Sequence, residues 1–169
     1  MVIWITGMSG SGKTFYANKI CTHLKKKYKN IFFIDGDEIR KYINYKLRYS
    51  VSDRRKNSKF IQDLCKYLEK KNLLVVCAIL SIFPSHQKKN RSLFKKYLQI
   101  SIEVEKDDLI RRNSKFIYKK KNIVGKQIKY PKPYKPDLLI KNSFKNDYEK
   151  NLKKIFKLIN AKYKNKKIN

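Results

Sequence analysis

Acidic residues are in short supply. The 169 residues hold 13 Asp and Glu against 43 Lys and Arg, for a formal net charge of +30 and a pI near 10.1. A balance of that kind ordinarily points to nucleic acid or another anionic surface. Here the excess runs through nearly every segment, with Lys, Asn, Ile and Tyr abundant and Gly, Ala and Arg scarce. It reads as drift towards AT-rich codons ahead of selection for a polyanion. A basic nucleic-acid-binding protein stands as the alternative. Against it, the aromatics sit mostly in core stripes and no RNA-binding signature is visible.

Cysteine is also sparse. Cys21, Cys65 and Cys77 are far apart, odd in number and set in apolar contexts. The absence of a Cys-x-x-Cys or Cys/His spacing argues against a disulfide framework or a zinc site and favours buried thiols in a reducing compartment. No apolar run approaches the roughly 18 residues of a membrane span, and the N-terminus runs straight into a strand without a basic leader. The expectation is a cytoplasmic protein with no membrane partner. Internal repeats are missing too, and residues 1–169 read as one domain, with chain enough for a real core.

Glycine, at five residues, is scarce enough for its placement to matter. Three of the five fall in Gly7-Met8-Ser9-Gly10-Ser11-Gly12-Lys13-Thr14, a match to G-x-x-x-x-G-K-[ST] between an apolar strand (Val2 to Thr6) and a helix opening at Lys13. Such a loop wraps a phosphate chain with backbone N–H groups and needs glycines to come close without a Cβ clash. Gly7, Ser9, Gly10, Ser11 and Gly12 are the cradle. Lys13 can reach the β/γ-phosphates of ATP, and the Thr14 hydroxyl can ligate Mg²⁺.

Along the rest of the chain, short apolar runs alternate with amphipathic stretches, the pattern of a parallel sheet with helices on both faces. The predicted class is α/β, a P-loop NTPase fold with about five strands and a basic lid. Helix Thr14 to Tyr28 carries His23 beside its apolar stripe, where packing explains it better than catalysis. Strand Ile31 to Ile34 ends in Asp35-Gly36-Asp37, at the strand end where ligands of open α/β sheets collect. These carboxylates can orient hydrated Mg²⁺ or take the proton of an attacking hydroxyl. Equally, Asp37 can simply N-cap the next helix with Arg40 paired to it. A short helix is expected from Arg40 to Lys46. Ser52 is the expected N-cap of a long helix, Asp53 to Lys71, whose first turn bears Asp53, Arg54 and Asn57. Arg and Asn there can hold a phosphate or sulfate, or form a solvated turn.

Leu73 to Leu80 reads as the central strand and delivers Ser81 to the same crevice. A polar helix is expected from Pro84 to Tyr97, a strand from Ile100 to Val104 and a helix from Asp107 to Arg112. The basic, Tyr- and Pro-containing stretch of about 113–136 is too long for an ordinary loop, and reads as a lid that closes over ATP or as disorder. Asp137 to Ile140 is the last strand, and a closing helix spans about 145–163.

Taken together, these residues resemble the adenylylsulfate kinase family. The order of features matches from end to end: Gly7 to Thr14, Asp35-Gly36-Asp37 with Arg40, Tyr49-Ser50 before Asp53-Arg54 and Asn57, Ser81, Arg112 with Lys115 and Tyr118-Lys119-Lys120, and Pro133 with Pro136-Asp137-Leu138. The P-loop is generic, but the second and third groups are far more specific. The resemblance implies a small-molecule nucleotide substrate and transfer from ATP to the ribose 3′-hydroxyl of adenosine 5′-phosphosulfate in sulfate activation. It implies Lys13, Asp35, Asp37 and Ser81 as catalytic positions, Thr14 and Asp35 as Mg²⁺ positions, and Arg40, Tyr49, Arg54, Asn57 and Lys115 as the acceptor's grip. Ser81 falls where family members place a serine described as a phosphoserine intermediate; direct in-line transfer is the alternative. A homodimer is compatible with the resemblance.

There are departures. Ile82-Phe83-Pro84 stands where the family has Pro, an aromatic and Arg. The lid is shorter, and Asn122-Ile123-Val124-Gly125-Lys126-Gln127 replaces a Gly-Phe-Thr-Gly-Ile-Asp-like run, so Ile123 takes the place of the aromatic that stacks on the acceptor base. Such departures look like the subgroup tied to surface polysaccharides, including the cytidine diphosphoramidate kinases of capsule decoration. That subgroup implies the same chemistry on a cytidine diphosphate derivative.

Overall fold

Side chains of the first strand alternate in direction, and both directions are apolar. In the computed structural model, which describes residues 1–43, 45–113, 122–145 and 147–163, this decides the layering. The elements run β1 (Val2–Gly7), α1 (Lys13–Lys25), β2 (Ile31–Asp35), α2 (Gly36–Tyr42), α3 (Val51–Lys70), β3 (Leu74–Ile79), α4 (Pro84–Leu93), β4 (Tyr97–Glu103), α5 (Lys106–Asn113), β5 (Leu138–Lys141) and α6 (Tyr148–Tyr163). Ile3 and Ile5 enter a core layer with Ile20 and Leu24 of α1 and Ile155 and Ile159 of α6. Val2 and Trp4 enter the opposite layer with Ile61, Cys65 and Leu68 of α3. Burial of each such aliphatic side chain contributes roughly 1.5–3 kcal/mol, and both layers depend on one strand.

All four strand pairings are parallel, in the order β2-β3-β1-β4-β5. The chain lays β2 and β3 on one side of β1 and β4 and β5 on the other. The order therefore turns at β1, and the crevice beyond the strand ends opens there. β2 lies at the sheet edge, bonded to β3 alone, with Phe32 exposed. Cys21, Cys65 and Cys77 are buried free thiols, and His23 stacks on Phe156 at 3.9 Å between ring centroids, a packing role. Among the described residues no helix is long and apolar enough to cross a membrane.

Several boundaries depart from the sequence expectation; β4, for one, begins at Tyr97 instead of Ile100. The helix opened by Pro84 ends at Leu93, not Tyr97, because Phe94 and Tyr97 are drawn into the α3-side core as a stacked pair 5.7 Å apart. Burying two aromatic rings outweighs continuing a polar helix. The N-cap of α3 is Ser50 instead of Ser52: its Oγ accepts from Asp53 N at 3.1 Å and donates to Asp53 Oδ2 at 2.8 Å. Finally, α2 starts directly at Gly36 with no connector, and Asp35, not Asp37, is its cap.

Candidate active site

The phosphate loop is built by geometry that few side chains tolerate. Gly12 caps α1 in the left-handed region at φ 93°, and a Cβ at Gly7 would lie 2.6 Å from Ile102 O and Ser11 Oγ. Between them, Ser11 N donates to Met8 O at 3.1 Å and closes the loop, leaving Ser9 and Gly10 at its exposed tip. Ser11 is fully buried. Behind it, Asn142 donates from Nδ2 to Ser11 O at 3.0 Å, and its Oδ1 accepts from Tyr16 OH and Phe144 N. Asn142 was not singled out from the sequence. A polar residue directly after an apolar final strand is the one hint that could have found it.

Lys13 folds back on this loop, Nζ donating to Met8 O at 2.8 Å. Burial lowers its pKa to about 8, against the opposing pull of Asp37 and Asp35. The two carboxylates divide the work. Asp35 Oδ2 accepts from Thr14 Oγ1 at 2.8 Å, while Asp35 Oδ1 accepts from Asp37 N at 2.8 Å and caps α2. Capping, one of the two roles left open for Asp37, thus belongs to Asp35, because β2 delivers Asp35 one residue ahead of the helix. Asp37 is exposed, and its charge acts on the Lys13 ammonium. Arg40 does not pair with it but donates from Nη1 to Arg48 O at 2.6 Å. Thr14 and Asp35 thus offer two hard oxygens side by side, a set that fits Mg²⁺, which takes its other ligands from phosphates and water. Among the described residues no cluster of three acidic, His or Cys side chains forms a further metal centre.

On the α2–α3 side, the sequence-predicted acceptor residues converge. Arg40 and Arg54 are buried, 9% and 8% exposed, and their guanidinium carbons lie 5.0 and 5.4 Å from the Tyr49 ring centroid. Arg54 Nε donates to Tyr49 O at 3.0 Å and Arg54 Nη2 to Asn122 O at 3.1 Å; Asn57 Nδ2 donates to Gly36 O at 3.3 Å. Among the described residues neither arginine has a carboxylate within ion-pair distance. Burial and the neighbouring Arg40 charge lower the Arg54 pKa, against the opposing pull of Asp37. Lys115, Tyr118, Lys119 and Lys120 lie outside the described residues.

Ser81 sits beyond β3, 1% exposed, with Gln87 Nε2 donating to its Oγ at 3.2 Å. The described part of the lid packs against the crevice. Val124 joins Ile82 and Phe83 in a small apolar cluster, Tyr130 OH lies 3.2 Å from Thr6 Oγ1, and a Cβ on Gly125 would meet Met8 Cε at 2.4 Å. Val124 and Ile128 pair across a turn whose first residue, Ile123, is fixed by its N–H to Gln127 Oε1 at 2.8 Å. One stretch of chain therefore touches both the phosphate loop and the arginine-lined wall.

Comparison with known proteins bears on the family and the fold. The chain is 34% identical over 165 residues to the cytidine diphosphoramidate kinase of Campylobacter jejuni, covering 92% of this chain and 94% of that protein. It is 34% identical over 154 residues to the adenylyl-sulfate kinase of Prochlorococcus marinus, covering 86% of this chain and 77% of that one. Its fold matches the Mycobacterium tuberculosis APS kinase CysC, solved in complex with AMPPNP and APS. That match has a TM-score of 0.83 at 23% identity over 94% of this chain and 96% of that one. The family profile described as adenylylsulphate kinase spans residues 1–141. With the P-loop, the paired carboxylates and the arginine-lined wall in place, the chain is a nucleotide-binding P-loop phosphotransferase with an alcohol acceptor, and it belongs to the adenylylsulphate kinase family.

Proposed function

We propose that the protein transfers the γ-phosphate of ATP to the ribose 3′-hydroxyl of a nucleotide whose 5′ tail carries two adjacent anionic groups, as in adenosine 5′-phosphosulfate. The observation that carries this reading is the pair of buried arginines, Arg40 and Arg54, against Tyr49, with no carboxylate within ion-pair distance among the described residues. Two desolvated guanidiniums call for an anionic ligand of matching charge. Gly7 to Gly12 hold the triphosphate, Thr14 and Asp35 hold Mg²⁺, and Asn57 and Lys115 complete the acceptor's grip. When bound, the metal neutralises charge on the phosphates.

In the transfer, the 3′-oxygen attacks the γ-phosphorus, the bond to the β-bridging oxygen breaks, and Asp37 takes the hydroxyl proton. Lys13 leaves the Met8 carbonyl for the β/γ-phosphates as ATP enters. In-line transfer is preferred over a phosphoserine at Ser81, because the hydrogen-bond partner of Ser81 Oγ is the Gln87 amide, which cannot accept a proton. A cytoplasmic location, where ATP is plentiful, suits this reaction.

A second reading, the same reaction on a cytidine diphosphate derivative, is favoured by Ile123. Its neighbour Asn122 accepts from Arg54 Nη2 through its backbone oxygen, which supports a place near the arginines. Base stacking between aromatics contributes roughly 1–3 kcal/mol, part of which an isoleucine forfeits. The test is kcat/KM for adenosine phosphosulfate beside a cytidine diphosphate derivative, in wild type and Ile123→Phe. A cytidine preference that Ile123→Phe weakens assigns the second reading. A strong adenine preference unmoved by the mutation assigns the first. Turnover with neither nucleotide would overturn both.

A further inference from the structure

A line of buried polar side chains leads from α3 to Ser81, and its direction is fixed at one end. Gln62 Nε2 donates to Asn90 Oδ1 (2.5 Å), Asn90 Nδ2 to Tyr97 OH (3.2 Å), Tyr97 OH to Gln99 Oε1 (3.0 Å), Gln99 Nε2 to Gln87 Oε1 (3.1 Å), and Gln87 Nε2 to Ser81 Oγ (3.2 Å). Every member is less than a tenth exposed. Amide and hydroxyl groups can usually reverse such a line, since each both donates and accepts. Here Tyr134 N, in the lid's return limb, donates to Gln87 Oε1 at 2.6 Å. A backbone N–H cannot accept, so the Gln87 oxygen must face Tyr134 and its NH₂ must face Ser81. Among the described residues Ser81 has no acceptor for its own proton. Its hydroxyl is held as an acceptor on one side and must donate elsewhere.

We propose that Gln87 is a positioning residue for phosphoryl transfer: anchored by the Tyr134 N–H, it orients the Ser81 hydroxyl as a hydrogen-bond donor to the anionic oxygens in the crevice. The proposal rests on the kinase reading above. Ser81 lies two residues beyond Ile79, which pairs with Thr6 beside the phosphate loop, and three beyond Ala78, which pairs with Asp35. A fixed donor there acts on developing phosphoryl charge without moving a proton. It also links the lid to the chemistry, because withdrawal of Tyr134 would free the Gln87 amide to turn over.

The test substitutes the polarity and leaves the shape. In Gln87→Glu a neutral carboxyl can still donate to Ser81 Oγ, whereas the ionised form can only accept and draws the Ser81 proton away. Among the described residues the titratable and charged groups around the line include Tyr97 of β4, with the buried Cys77 thiol of β3 near it; Asp137, which accepts from Gln99 N, with Arg91 and Lys162 paired to it; and His86 of α4, bonded to Ser58. Burial raises the Tyr97 pKa far out of range and lowers that of His86. Burial works against the Asp137 charge, but the Gln99 N–H, Lys162 and Arg91 hold its pKa below the ordinary value. Lys13, whose pKa burial lowers, is common to both proteins, and its contribution cancels in a ratio.

The kcat ratio of Gln87→Glu to wild type should therefore fall about tenfold or more as pH rises from 6 to 9. KM for ATP should be unchanged, and in a Ser81→Ala background the fall should vanish, because the two residues act as one unit. Gln87→Met, neutral and unable to donate, should lower kcat to the level of Ser81→Ala with no further loss in the double variant; it serves equally if the carboxyl variant does not fold. A flat ratio, or a pH-dependent fall that persists without the Ser81 hydroxyl, overturns the proposal. Lys13→Ala run alongside separates the two levels: turnover surviving that change sinks the kinase reading itself.

Discussion

Lys13 is the residue on which most depends, and its environment gives it a measurable signature. Its pKa of about 8 lies below the ordinary 10.5 because burial outweighs the attraction of Asp37 and Asp35. In the free enzyme the ammonium is charged below pH 8 and neutral above, so kcat/KM for ATP should fall as pH rises through 8. Bound triphosphate restores the charge, and kcat should hold to higher pH. Equal falls in both parameters would show that Lys13 stays on Met8 during turnover. Lys13→Ala should lower kcat at least a hundredfold and leave the melting temperature nearly unchanged. Asp35→Asn is a companion measurement. Asn caps a helix as well as Asp, so α2 and stability should persist while turnover drops and its Mg²⁺ requirement rises. Full activity would reduce Asp35 to its cap. The motif residues were legible because their spacing is dictated by a phosphate chain. Which carboxylate would cap was not, because that turns on where β2 ends, a matter of one residue.

At the scale of elements, the five strands and the helices between them were legible from apolar runs and stripes, whereas boundaries shifted wherever tertiary burial competed. Phe94 and Tyr97 look helical in a polar stretch and leave it only because a core lies beside them. Ser50 and Ser52 are equivalent caps until Asp53 reciprocates with one of them. Asn142 illustrates what local pattern cannot reach: its partners Ser11 and Tyr16 lie 131 and 126 residues away. Asn142→Ala removes a buried donor from the phosphate loop and should destabilise the protein by about 1–3 kcal/mol. It should raise KM for ATP several-fold with little change in KM for the acceptor. If acceptor KM moved as much, the loss would be general and not a loosened phosphate loop.

At the scale of the whole molecule, +30 invites a nucleic-acid reading that the site does not need. Lys150, Lys153, Lys154 and Lys157 form an exposed face on α6, but at physiological salt fields of this kind are screened beyond about 8 Å. Duplex DNA should bind weakly, with affinity falling steeply as salt rises and without sequence preference; tight or salt-resistant binding would promote the polyanion reading. The sheet itself has a different consequence. Asp35 and the cap of α2 hang from β2, which has one neighbour, while the phosphate loop hangs from β1, flanked on both sides. Strands at a margin open first. Backbone amides of Ile31 to Asp35 should exchange with solvent deuterium well before those of Val75 to Cys77, and in rising urea turnover should disappear while helical circular dichroism is still intact. The half of the crevice that carries the carboxylate is then the half that comes undone on its own.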